Sequence, residues 1–169
     1  MTMTPWLRKF AVSTHITSSV GWIGAVVAFL ALAIAGLTQV DTQRISGLYF
    51  AMALTACYVI VPFSLASLLS GVVLSLGTRW GLFQHYWVLF KLLITVVASA
   101  FLLLHLQPIR DMAEVTVKAS LSGADLRPQR TKFAIEAGAA LVALLTTLAL
   151  SVYKPTGITA YGQRKRRQQ

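Results

Sequence analysis

Acidic residues are almost missing from this chain. Five Asp and Glu stand against fifteen Lys and Arg among 169 residues, a formal net charge of +10. Charged residues of either sign make up only 12%, about half the share of an ordinary soluble domain. Cysteine is represented once, by Cys57, which excludes an internal disulfide framework, a cysteine-rich zinc site and an iron–sulfur cluster held by this chain alone. Signatures of known chemistry are missing too: there is no HExxH, CxxC, P-loop, GxSxG or MxxM copper run, and no pair of carboxylates inside an apolar run. What is present in quantity is apolar. Hydrophobic residues reach 56% and mean hydropathy is +0.69, which excludes intrinsic disorder and leaves an integral membrane protein.

Uncharged runs locate the spans. Phe10 to Val40 and Ile45 to Thr78 carry no Asp, Glu, Lys or Arg; Leu92 to Ile109 and Ala137 to Tyr153 follow. Crossing ~30 Å of hydrocarbon takes about 20 mostly apolar residues, so helices are expected near 11–37, 46–76, 83–106 and 133–153. The alternating dyads of a membrane barrel do not occur. The expectation is an all-α integral membrane four-helix bundle: a single transmembrane domain over 1–169, with a basic C-terminal tail at 154–169. The first run is too long for a signal-peptide core and is expected to stay as a span.

Basic residues set the expected orientation. Arg8, Lys9, Arg79, Lys154 and Arg164 to Arg167 fall on the side of both termini, eight against the six of the opposite side (Arg44, Arg110, Lys118, Arg127, Arg130, Lys132). Both termini are therefore expected in the cytoplasm. The Arg164–Arg167 cluster then reads as a topology anchor touching anionic lipid and not as a nucleic-acid patch. Trp6, Trp80, Tyr86, Trp87 and Tyr153 suit the interface. Small residues in the first span (Gly21, Gly24, Ala25, Ala28) and fourth (Ala137 to Ala140, Ala143) offer close helix approach. Pro62 should break the second span near its middle, with Thr55 and Ser64 satisfying freed backbone groups. The polar stretch 107–132 suggests a short interfacial helix on Ile109, Met112, Val115/Thr116 and Ala119.

An ionisable side chain at mid-span costs on the order of 2.5–3.5 kcal/mol, so the few present carry most of the functional information. These are His15, His85, Lys91, His105 and Glu136. At 1.5 Å per residue, His15 and Lys91 reach a similar depth from the terminal side, ~7–8 Å into their helices, while His105 lies ~21 Å beyond Lys91. His15 and His105 thus cannot be two axial ligands of one haem, and His105 and Glu136 form a plausible outer polar pair. His15, Ser18/Ser19 and Trp22 share a face, as do Lys91, Thr95, Ala98 and His105. Each has a plainer reading: an interhelical hydrogen bond for His15, snorkelling for Lys91, an interface position for His85, a helix N-terminal carboxylate for Glu136, and a small buried hydrophobe for Cys57.

Thr14-His15-Ile16 followed by Val20-Gly21-Trp22-Ile23-Gly24 resembles the first helix of the bacterial copper-resistance-D-like membrane group, which includes the small membrane protoporphyrinogen oxidases. Tyr86-Trp87-Val88-Leu89-Phe90-Lys91-Leu92-Leu93 resembles a later helix of the same group. The fuller likeness, including Ser151-Val152-Tyr153-Lys154-Pro155, is to an uncharacterised subfamily. The resemblance to the oxidases implies haem b, with His15 and Lys91 both needed. The oxidases' charged and aromatic end of helix 1 is replaced here by Ala31-Leu32-Ala33-Ile34-Ala35-Gly36.

Three readings compete. One is a haem-b-binding membrane protein with the site between helices 1 and 3, His15 on the iron, Lys91 as second ligand or propionate partner, and Trp22, Ile23, Val26 and Leu92 lining the slot. Another is a non-catalytic subunit or scaffold that binds a membrane-protein partner, or a second copy, through small-residue faces. The third is a metal or small-solute permease, for which four spans without a repeat make a poor monomer.

Overall fold

A computed structural model describes residues 3–77, 82–122 and 126–167, and these are all-α. Helix α1 spans Pro5–Thr38, α2 Thr42–Thr55, α3 Val61–Gly77, α4 Tyr86–Ser122, α5 Arg127–Tyr153 and α6 Ala160–Arg167. A π-helical turn, Ala56–Ile60, joins α2 to α3 without a break. Four helical stretches are long and apolar enough to cross a membrane: Pro5–Thr38, Thr42–Gly77, Tyr86–Thr116 and Arg127–Tyr153. α1 packs mainly against α3 and α5, and α2 mainly against α4.

The helices start where local chemistry allows. Pro5 and Pro128 sit in the first turns of α1 and α5, where the missing proline N–H would have had no helical partner. Asp41 caps α2 by accepting from the Gln43 N–H at 3.0 Å. Apolar residues then run all round each helix, and many face outward: Val20, Val27 and Ile34 on α1, Leu69, Val73 and Leu76 on α3, Phe90, Leu93, Val97 and Leu104 on α4. A helix apolar on every side needs an apolar medium.

Pro62 does not simply kink its span. The Val61 N–H reaches back five residues to the Ala56 carbonyl, so the wider π turn just ahead of Pro62 absorbs the crowding of its ring. Thr55 and Ser64 donate to the carbonyls of Ala51 (2.8 Å) and Val61 (2.9 Å). They are bound to their own helix and do not serve the groups facing the proline.

The expected short interfacial helix is instead the last third of α4, which continues through Pro108 to Ser122. Its periodicity was real: Ile109, Met112 and Thr116 are buried. They share the helical face that α4 turns inward, so the same packing that orders this stretch keeps it in line with the span. At 1.5 Å per residue α4 is ~55 Å long and outreaches the ~30 Å hydrocarbon. The tightest core lies at the end of the bundle away from the termini, where Ala33, Ile45, Tyr49, Met52 and Ala56 are almost fully enclosed. α5 begins at Arg127, earlier than the expected 133. Gly24 and Ala28 face outward while Ala25 is buried, so only part of the small-residue set serves this bundle. Arg79, Trp80, Gly123 and Asp125 lie outside the described residues.

The C-terminal segment is docked. After Lys154, which ends α5 in the left-handed region at φ 42, the chain turns back and Ile158 bridges to His85. Thr159 N–H donates to the Gln84 carbonyl (3.0 Å) and its hydroxyl to the Phe83 carbonyl. A Cβ on Gly162 would stand 2.6 Å from the Gln84 carbonyl oxygen, an overlap with backbone that cannot swing away. Gly162→Ala is therefore expected to loosen this strap while leaving the spans intact. Faster hydrogen exchange at the Thr159 and Tyr86 amides, with unchanged helicity, is the readout.

Candidate functional site

Four helices converge on His15, at the end of the bundle that holds both termini. From α3, the Ser67 carbonyl lies 3.1 Å from His15 Nδ1, and Ser70 Oγ lies 3.1 Å from the same atom. A carbonyl only accepts, so Nδ1 carries the hydrogen. Ser70 spends its own hydrogen on the Ala66 carbonyl at 2.6 Å and is a second acceptor for Nδ1. Nε2 is left with its lone pair, and Lys91 Nζ from α4 donates to it at 3.3 Å. Lys91 also donates to Ser151 Oγ of α5 at 2.7 Å, and Ser151 passes its hydrogen to the Thr147 carbonyl at 2.8 Å. Ser19 and Ser67 hydroxyls meet at 2.8 Å, tying α1 to α3 beside the pair.

Gly71 makes room for this. A Cβ there would stand 3.0 Å from His15 Cε1, so glycine lets the imidazole lie against α3 within reach of Ser67 and Ser70.

The sequence reading brings His15 and Lys91 to one level, and the structure places them in contact. Ser67, Ser70, Gly71 and Ser151, from the second and fourth spans, were missed. Their signal is present as small or hydroxylated residues at Ser64, Ser67 and Gly71, and at Thr147 and Ser151, spaced at helical intervals.

Among the described residues, the Lys91 ammonium is held by the neutral His15 and Ser151. Among the described acidic residues, Asp41 pairs with Arg44, Asp111 with Gln107, Glu114 with Lys118, and Glu136 with His105 and Lys132. A cavity of about 40 Å³ adjoins Lys91, walled by the hydroxyl-bearing Ser19, Ser67, Thr95, Thr147 and Ser151 together with apolar residues such as Trp22 and Leu144. A water takes about 10–15 Å³ of such space, so the room suits a few waters or one small ion.

The donor chemistry of His15 would suit haem iron, because an Nδ1–H held by a carbonyl leaves Nε2 free to ligate. The space does not suit it. Ligands of that size occupy clefts of ~300–1,000 Å³, and here Lys91 fills the direction of the Nε2 lone pair. Of the expected slot residues, Trp22 and Ile23 line this cavity, Val26 lines another, and Leu92 lines neither. Among the described residues no three His, Cys, Asp or Glu side chains could hold a metal ion together.

Toward the opposite end, His105 Nε2 lies 3.6 Å from Glu136 Oε1, and Lys132 Nζ lies 3.6 Å from the same oxygen. His105 Nδ1 donates to the Phe101 carbonyl at 3.0 Å, and its ring stacks on Phe101 with centroids 3.9 Å apart. These two residues edge a second cavity, of about 70 Å³, whose other walls are apolar. Trp22 and Leu144 line both cavities, which therefore adjoin. His85 lies beneath the C-terminal strap, apart from either site.

Comparison with protein-family models, with curated proteins and with solved structures yields no match.

Proposed function

We propose that this chain is a multi-pass protein of a bacterial inner membrane, with both termini in the cytoplasm, that binds a small monoanion of halide or formate size at Lys91. One observation carries the reading: an ammonium inside the bundle, held by an imidazole and a hydroxyl with no described carboxylate beside it. Lys91 is half-buried; a charge drawn partly out of water without a counter-charge is costly, and a monoanion in the adjoining hydroxyl-lined cavity would neutralise it. The site is an expensive feature for a mere scaffold, which needs only outward faces. Chloride and formate are expected to raise the unfolding midpoint of the detergent-purified protein saturably, with sulfate less effective because of its size. No difference among the salts would contradict the proposal.

Haem ligation by His15 is the second reading, favoured by its Nδ1–H tautomer, and it requires the helices to part around a ring the present cavity does not take. Protein purified from haem-sufficient cells is expected to show no Soret band. A Soret band that His15→Ala removes would decide for haem.

Orientation has its own test. In a Cys57→Ala background, Ser122→Cys should label from outside intact cells and Gln168→Cys only after permeabilisation; the opposite pattern would invert the topology.

A further inference from the structure

The two cavities stand end to end along the bundle. The one beside Lys91 takes Lys91 and Thr95 from α4 and residues between Ser151 and Leu144 from α5. The second takes residues between Ala98 and Ile109 from α4 and between Leu144 and Phe133 from α5, so each helix lines them in succession. At 1.5 Å per residue, Lys91 to Ile109 and Ser151 to Phe133 each cover ~27 Å, nearly the whole ~30 Å of hydrocarbon. Trp22 and Leu144 stand where one cavity gives way to the other.

Polarity changes along this row. Near the termini, hydroxyl groups surround the Lys91 ammonium, which is shared between His15 and Ser151 with no described carboxylate beside it. Beyond Trp22 and Leu144, only His105 and Glu136 interrupt apolar walls. Lys132 counters the Glu136 charge from 3.6 Å, and Arg127 and Arg130 leave the start of α5 positive. The other end of the bundle carries Arg8, Lys9, Lys154, Arg164 and Arg167. Positive charge at both ends draws anions toward the row. An ion path must bind strongly enough to admit the ion and weakly enough to release it, and an apolar stretch closes it by losing its water. The second cavity, of about 70 Å³, holds about five waters when wet and is a barrier when dry.

From this we infer that the row of cavities is a gated route for halide ions across the membrane. Lys91 is its binding step, and Trp22, Leu144 and the apolar cavity beyond them are its gate. The inference rests on the reading of an anion at Lys91 and adds passage to binding. The lack of an internal repeat counts against a rocking carrier and not against a passage within one bundle.

The test uses the full chain in liposomes of neutral lipid, loaded with potassium chloride or potassium gluconate and diluted into a medium low in both. Valinomycin lets potassium leave only as fast as the anion follows, so a potassium electrode reads anion passage. Leu144→Ser and, separately, Trp22→Ala open the apolar gate and should release the chloride salt at least tenfold faster than wild type. Two positions guard against one variant misfolding, which helicity and gel filtration check. Adding Lys91→Met to Leu144→Ser should cut the rate at least tenfold, and so should adding Ala140→Leu, which fills the second cavity. Gluconate should stay inside throughout. Opened variants that are folded and release chloride no faster than protein-free liposomes would overturn the route. If chloride still raised the unfolding midpoint of the wild type, binding at Lys91 would stand without passage; if it did not, both readings would fall. Gluconate escaping as fast as chloride would mean a general leak and would also overturn the route. Chloride passage that survives Lys91→Met would remove Lys91 from it.

Discussion

Lys91→Met is expected to make the protein more stable in anion-free buffer and indifferent to chloride or formate. Methionine keeps much of the lysine stem's bulk and removes the charge that His15 Nε2 (3.3 Å) and Ser151 (2.7 Å) only partly satisfy. Replacing buried ion pairs with apolar residues of similar volume is often neutral or stabilising by about 1–4 kcal/mol, and for the half-buried Lys91 the lower end of that range is expected. The wild-type chain should gain about 2.7 kcal/mol when the anion reaches a hundred times its dissociation constant, and the variant none of it. Thermal unfolding followed by helicity, with and without anion, measures both parts. A variant that loses stability and keeps the salt response would place the anion elsewhere.

Gly71→Leu should dismantle the same centre from the other side. Even a Cβ at Gly71 would crowd the imidazole at 3.0 Å from Cε1, and the leucine branch forces the ring away from α3. His15 then loses Ser67 and Ser70 together, and Lys91 loses its imidazole. Overpacking of this kind costs about 1–3 kcal/mol. The sharper readout is the nitrogen-15 spectrum of His15: one protonated nitrogen and one bare nitrogen in the wild type, a mixture of tautomers in the variant. A wild-type spectrum with the hydrogen on Nε2 would contradict the hydrogen-bond assignment outright.

Much of this architecture was legible because the membrane pattern is a one-dimensional signal. Runs free of charge marked the four long helices, and a rise of 1.5 Å per residue put His15 level with Lys91 and His105 level with Glu136 before any contact was known. What escaped depended on packing between helices distant in sequence. Ser67, Ser70 and Ser151 are ordinary small polar residues until α3 and α5 are set against His15 and Lys91. The stretch after 106 reads as a separate interfacial helix, yet α4 runs on through Pro108, because Ile109, Met112 and Thr116 keep the following turns packed against the bundle. Pro62 reads as a kink, yet the π turn Ala56–Ile60 ahead of it takes up the strain. The basic C-terminal tail reads as a topology anchor, and only the Thr159 and Gly162 contacts reveal that it is strapped to the start of α4.

The central claim is an anion held by Lys91 in the interior, and crystals of the full chain grown in bromide test it most directly, by anomalous diffraction at the bromine edge. The account predicts a bromide peak in the cavity among Ser19, Thr95 and Ser151, in contact with Lys91 Nζ, and its loss in crystals of Lys91→Met. A cavity without bromide in the wild type, or a peak that persists in Lys91→Met, would contradict it.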